Sequence, residues 1–275
     1  MIVLLSVCCL GQATSKAAGP GAAVPIDEWK AAVIAGDSAS LFGLYSTNPP
    51  MQASTIKGPI DAKDESKFWI GLKARTITLD QVQRTDPQEG AEIFTFQAEV
   101  QGSDGTVYVN ESQLWQQQSG QWRLVASKRT DAAHLRQPLD QKKNIYPADA
   151  DARAEIKEAE ERAAKEHKRV LLVFGANWCY DCHVLDLAFQ RPDFALVIIG
   201  YEVVHIDIGD DGKKNNDIAS QFHVPLEKGV PALAVLESNG KLLVSQKNGE
   251  FENARAMTPQ SILDFLNKWK PTRAD

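Results

Sequence analysis

The chain has 275 residues, 43% of them hydrophobic and 24% charged, with a formal net charge of -6. This is an ordinary globular composition at a length that favours two domains over one. An acidic balance offers no basic footprint for nucleic acid, and beyond the first residues no apolar run approaches the ~20 needed to span a bilayer.

The start, Met1-Ile2-Val3-Leu4-Leu5-Ser6-Val7-Cys8-Cys9-Leu10-Gly11-Gln12-Ala13, reads as the apolar region of a signal peptide, with Gly11 and Ala13 meeting a small-x-small cleavage rule. The positive residues that usually precede such a region are missing. Residues 1–20 are assigned to this leader, which predicts an exported protein, periplasmic or extracellular. Cys8 adds the option of a membrane tether, and a leader that does not function leaves the chain in the cytoplasm.

Residues 26–36 read as a helix, and Asp37 can cap a second over 38–45, which Asn48-Pro49-Pro50 ends. A third short helix is expected over 64–72. Alternating runs then follow at 75–84, 91–100, 106–117 and 121–130, separated by turns at Ser103-Asp104-Gly105 and Ser119-Gly120. Phe94, Phe96, Ala98 and Val100 are expected on one face, as are Trp122, Leu124 and Ala126. No acid–base pair stands out in this half. Trp69, Phe94, Phe96 and Trp115 read as core rather than pocket lining.

A linker is placed at 138–150, with Pro138, Pro147 and mixed charges. The stretch 152–166 is a helix with opposite charges at i,i+4, such as Glu158 and Arg162. Val170-Leu171-Leu172-Val173-Phe174-Gly175 reads as a buried parallel strand. His205 lies in another strand, expected to be central. The chain closes with a helix capped by Thr258, with Pro259 in its first turn and an apolar stripe of Ile262, Leu263, Phe265 and Leu266.

The chemistry is concentrated in Asn177-Trp178-Cys179-Tyr180-Asp181-Cys182-His183, between the strand and a helix that starts at the cysteines. A helix N-terminus carries unpaired N–H groups and positive dipole, which favour a thiolate at Cys179, and the thiolate is the nucleophile. Three rival readings exist. Cys179-x-x-Cys182-His183 also fits haem attachment. Zinc needs two further ligands, and His134, His167, His205 and His223 show no paired spacing. An inert structural disulfide is the third. With Cys8 and Cys9 in the leader, a solitary C-x-x-C after a strand is most economically a redox couple, with no cofactor and no metal.

A strand, W-C-x-x-C and a helix, followed by Gly229-Val230-Pro231-Ala232 ahead of Leu233-Ala234-Val235-Leu236, resemble the thioredoxin family over about 150–270. The resemblance implies an α/β domain, 151–275, with a cis bond before Pro231 and a loop lying against the disulfide. It implies thiol–disulfide exchange with protein partners, Cys179 attacking and Cys182 resolving. Trp178, Tyr180, Val230 and Pro231 are then the substrate contacts. The sequence departs from the family at three places: Val173 replaces a buried Asp, Gly175 replaces a Trp, and Tyr180-Asp181 replaces Gly-Pro. Proton transfer for Cys182 must therefore come from elsewhere, with Asp181, His183 and His205 as candidates. Asp181 opposes a strongly ionised Cys179, which points to the reductase or isomerase direction and to an upstream electron donor.

The front half, helices then a meander of long strands ending in Gln121-Trp122-Arg123-Leu124, resembles the nuclear transport factor 2-like fold. It implies an α+β cone over 21–137, a curved antiparallel sheet with helices, and a ligand-binding or homodimerising role. The competing reading of the whole chain is a binding or dimerisation protein whose rear domain is redox-passive. The double mark in the rear half favours the oxidoreductase.

Overall fold

The computed structural model describes residues 24–139 and 141–272. The leader reading, with Cys8, Cys9 and the cleavage rule, lies outside the described residues.

The front half opens with α1 (Ile26–Ala35) and α2 (Ser38–Gly43). Asp37 caps α2, its Oδ1 accepting from the N–H groups of Ala39 and Ser40. A short hairpin, β1 (Gln52–Thr55) and β2 (Gly58–Ile60), precedes α3 (Ala62–Gly71). The third helix starts two residues earlier than expected because Asp61 caps it, accepting from Asp64 N at 2.7 Å. The meander is β3 (Thr76–Gln88), β4 (Ala91–Gly102), β5 (Gly105–Gln118) and β6 (Gln121–Arg129). The strands form one sheet in the order β2-β1-β6-β5-β4-β3, with β1 parallel to β6. β1 and β2 carry no signal in the sequence. At four and three residues they are too short to show a period, and long-range pairing with β6 creates them.

The sheet wraps the helices. Trp29, Trp69, Phe96 and Trp115 are fully buried between them, and the Trp29 and Trp69 rings meet edge-on at 4.8 Å. Each ring removes a large apolar area from water, a favourable ~25 cal/mol per Å². Alternation holds along β4, where Phe94, Phe96, Ala98 and Val100 all point inward. It fails in β6. Trp115 pairs with Leu124 but Leu114 pairs with Ala126, so Val125 is an extra residue in the ladder. This bulge moves Ala126 away from the face of Leu124 and turns Ser127 and Arg129 into the buried positions. The expected Trp122, Leu124, Ala126 face is thus corrected.

The rear half runs α4 (Ala152–Glu166), β7 (Arg169–Gly175), α5 (Tyr180–Phe189), α6 (Pro192–Ile198), β8 (Tyr201–Asp207), α7 (Asn216–Gln221), β9 (Ala232–Leu236), β10 (Leu242–Ser245) and α8 (Pro259–Trp269). Its sheet has the order β10-β9-β7-β8, with β7 parallel to β8 and antiparallel to β9. Both faces are covered, which explains the unbroken apolar run in β7. Val170, Leu172 and Phe174 pack toward α4 and α7, whereas Leu171 and Val173 pack toward α5, α6 and α8. His205 is therefore on an edge strand, not the central one expected, because β7 takes the centre.

The segment expected to be a linker, together with the residues just before it, packs against the rear domain. Leu135 is fully buried in the core beneath α5 and α8, and Ala133 bridges to Tyr108 of β5. Further on, Ile145 and Tyr146 are buried against Cys179 and Cys182. Residues 131–139 and 141–150 form a strap that leaves the cone, crosses the rear domain and passes its sulfurs at Ile145 and Tyr146.

Candidate active site

Cys179 and Cys182 form a disulfide where β7 gives way to α5, with an S–S distance of 2.09 Å. Cys179 caps the helix: the Cys182 N–H donates to Cys179 Sγ at 3.1 Å. A cap sulfur that already accepts a backbone N–H gains further from negative charge. Cys179 is 5% exposed and Cys182 1%, so an incoming sulfur meets Cys179 first. The Val230–Pro231 bond is cis, and Val230 O lies 3.5 Å from Cys179 Sγ. Pro231 is buried. The two motifs, about fifty residues apart in the chain, meet at the sulfurs. A sheet centred on β7, a cysteine pair capping the following helix and a proline loop laid across it complete one recognisable site.

Residues 151–238 match a family model described as thioredoxin-like. The chain belongs to the thioredoxin-like family through its rear domain. A solved disulphide isomerase from Xylella fastidiosa is 38% identical to it, covers 46% of this chain and 97% of its own, and superposes with a TM-score of 0.44. The thiol:disulfide interchange protein DsbD 2 of Pseudomonas aeruginosa is 26% identical over 113 residues, 40% of this chain and 17% of that protein. The chain thus spans less than a fifth of the length of the DsbD relatives it matches. The front half is similar to solved structures described as nuclear transport factor 2-like. Among structures similar to it is an NTF2-like protein from Rhodospirillum rubrum, 20% identical, covering 38% of this chain and 93% of that one, with a TM-score of 0.34.

The other expected site residues separate on inspection. Trp178 is 53% exposed beside the disulfide, its indole N–H donating to Gly209 O at 3.1 Å. It remains open to a partner. Tyr180 faces the other domain instead: Asn110 Nδ2 donates to its hydroxyl at 3.3 Å, and that hydroxyl donates to Gln137 Oε1 at 3.1 Å. Burial pushes the phenol up to about 12. The structure places the Tyr180 hydroxyl at the contact between the two domains.

Asp181 is equally occupied. Its Oδ1 accepts from Arg255 N and Nε, and its Oδ2 from Arg255 Nη2 at 2.6 Å. The guanidinium also lies 4.4 Å over the Tyr180 ring. Only a bare carboxylate here would oppose thiolate formation. Arg255, 74 residues away, neutralises it. The pair also removes Asp181 as a free proton carrier.

His183 is buried and its Nε2 lies 2.8 Å from Asn177 O, fixed beneath the loop that carries the sulfurs. His205 packs edge-on against Tyr146, ring centres 5.3 Å apart, and its Nε2 sits 3.7 Å from Asp186 Oδ1. Burial lowers its pKa, partly opposed by Asp186 and reinforced by the nearby Lys143, so the imidazole is held neutral. It also borders an open cleft with Glu155, Glu158 and Arg162, which gives this histidine an exchange path with water.

Sequence reasoning missed Asn177, Tyr146 and Arg255. Asn177 Oδ1 accepts from Ile145 N and Tyr146 N, both at 3.0 Å, and its Nδ2 donates to Tyr146 O at 2.7 Å. One side chain thereby pins the strap to the active-site loop. The signal was Gly175, a departure from a family position that usually carries a large ring. A Cβ there would stand 2.4 Å from Tyr146 Oη and 2.7 Å from Cys182 Sγ. The sequence shows the missing side chain; the strap residue that fills its space comes from elsewhere. Among the described residues no group of His, Cys, Asp and Glu is arranged to hold a metal ion.

Proposed function

We propose that this chain exchanges disulfides with protein partners through Cys179 and Cys182 outside the cytoplasm, and that it works in the reductase or isomerase direction, a choice that rests on the names of its relatives and not on the charge of Asp181, which Arg255 offsets. The observation that carries the reading is the disulfide itself: it caps α5, follows the exposed Trp178 in the chain, and has Val230 O beside Cys179 Sγ. The loop before Pro231 then presents backbone to an extended partner segment, and Trp178, Val230 and Pro231 supply the apolar contacts. A partner thiolate or disulfide reacts at Cys179, and Cys182 resolves the mixed disulfide. The relatives support the class of chemistry through their names, a disulphide isomerase and a thiol:disulfide interchange protein. Repeated reduction needs an upstream electron donor. Export rests on the apolar leader, and among the described residues no helix is long and apolar enough to cross a membrane.

Trapping tests the assignment. Cys182→Ser should accumulate mixed disulfides with protein partners, and Cys179→Ser should not. Equal accumulation by both single variants defeats the division of roles. A Cys179–Cys182 pair that fails to titrate against glutathione defeats the redox reading altogether.

A further inference from the structure

Beside the disulfide lies a buried hydroxyl with nothing to bond. Tyr146 is fully buried, and its Oη has no hydrogen-bond partner among the described residues. Buried polar groups are nearly always paired, so an orphan next to reactive atoms demands a reason. Oη and Cys182 Sγ lie 2.4 and 2.7 Å from one and the same point, the place of the Cβ that Gly175 lacks. The hydroxyl and the sulfur therefore both border the small space that a side chain at 175 would fill. The ring cannot drift: Asn177 holds its backbone on both sides, and His205 packs against it at 85° between planes. A disulfide sulfur is a weak acceptor, whereas a thiolate accepts strongly.

We infer that the Tyr146 hydroxyl is the hydrogen-bond donor that stabilises Cys182 as a thiolate. The inference rests on the exchange chemistry proposed above and names the group that serves its buried sulfur. A partner thiolate attacks Cys179 Sγ. The Cys179–Cys182 bond breaks, a Cys179–partner bond forms, and the electron pair leaves on Cys182 Sγ, toward Tyr146. In the return step the Cys182 thiolate attacks Cys179 Sγ, the internal bond re-forms, and the partner sulfur leaves as a thiolate that takes a proton from water. Exchange is faster when the leaving sulfur is better stabilised, and a preset donor in a dry site achieves that without reorganisation. Val173, standing where the family has a buried carboxyl, gives no such help.

The other charges around this sulfur are paired. Asp186 bonds Lys143 at 2.5 Å, Asp207 bonds Lys214 at 3.0 Å, and Asp181 is held by Arg255. His205 is neutral, and His183 is bonded to Asn177 O. All of them remain in place when only the hydroxyl is removed.

Tyr146→Phe removes it and keeps the ring. In the reduced full-length chain, NMR of isotope-labelled cysteine reads Cys179 and Cys182 separately through a pH titration. The Cys182 pKa should rise by about one unit, a tenfold loss of ionisation, with a smaller change at Cys179. Attack of glutathione on the oxidised variant should slow by a similar factor. An unchanged Cys182 pKa overturns the inference, and so does a shift confined to Cys179. In the unsubstituted chain, labelled Tyr146 ring resonances should follow the Cys182 titration, and insensitivity to it overturns the inference without any variant. Loss of the exchange reading has a different signature: absent trapping and no glutathione equilibrium, with the Cys182 pKa still measurable.

Discussion

The two halves bury polarity in opposite ways. The cone places charge in its interior: Glu65 and Arg129 pair at 2.7 Å with 1% and 5% of their side chains exposed, and Glu111 lies opposite Arg129 in the β5–β6 ladder. Trp69 Nε1 donates to Glu65 Oε1, and the guanidinium lies 3.3 Å over the Phe68 ring. The rear domain keeps its sheet interior apolar. β9 is buried over its whole length, and the reactive pair sits at the end of β7 rather than inside. The sheet covered on both faces is mostly apolar inside, His205 of β8 being an exception, and the disulfide sits at a strand end. The sheet wrapped round helices from one side holds a polar cluster, in which Glu65 and Arg129 are paired while Glu111 Oε2 has no hydrogen-bond partner among the described residues.

The largest break in this comparison comes from Arg129→Met. It leaves Glu65 ionisable and buried without its partner, a loss of about 3–5 kcal/mol. Calorimetry should show the front-domain transition falling sharply, while the glutathione equilibrium of Cys179–Cys182 stays where it was. A redox shift of the same rank would show that the cone controls the sulfurs.

Glu111 gives a smaller, pH-dependent effect. Burial raises its carboxyl well above the usual range, and the charge of Glu65 adds to the rise. The folded cone therefore holds a proton that the unfolded chain releases above about 4.5. As pH climbs from there toward the folded value, the folded state binds more protons than the unfolded one, so stability falls. Glu111→Gln should flatten that decline and leave denaturant stability near neutrality equal or higher. A steeper decline in the variant would mean that Glu111 is ionised in the fold.

The smallest effect probes the seam. Tyr180→Phe gives up the bonds to Asn110 and Gln137, about 1 kcal/mol. Hydrogen exchange around β5 and the start of α5 should loosen together. Protection that changes on one side alone would mean the tyrosine serves only its own domain.

Much of this was legible beforehand because it is local. The four long strands, the Asp37 and Thr258 caps and the helix that follows the cysteines arise from periods and caps that a short window contains. The meeting of Cys179–Cys182 with Val230 and Pro231 was legible through a family resemblance, since both motifs carry their own residues. The fates of Tyr180 and Asp181 were not. Each looked like part of the disulfide's surroundings because it lies between the cysteines, yet helix geometry turns both side chains toward other partners. Tyr180 reaches Asn110 and Gln137, and Asp181 reaches Arg255.

By itself the sequence determined the two-domain order, the alternation that makes a meander, and the redox pair at a helix start. Each follows from steric periods, capping and the chemistry of thiols near a helix dipole. Only the tertiary structure decided what surrounds that pair. The Val125 bulge turned Arg129 inward, β7 rather than β8 became central, and a segment that reads as a linker delivered Tyr146 to the space beside Cys182. These depend on close packing between residues far apart in the chain. A glycine at 175 announces the space, and nothing near it in sequence says what enters.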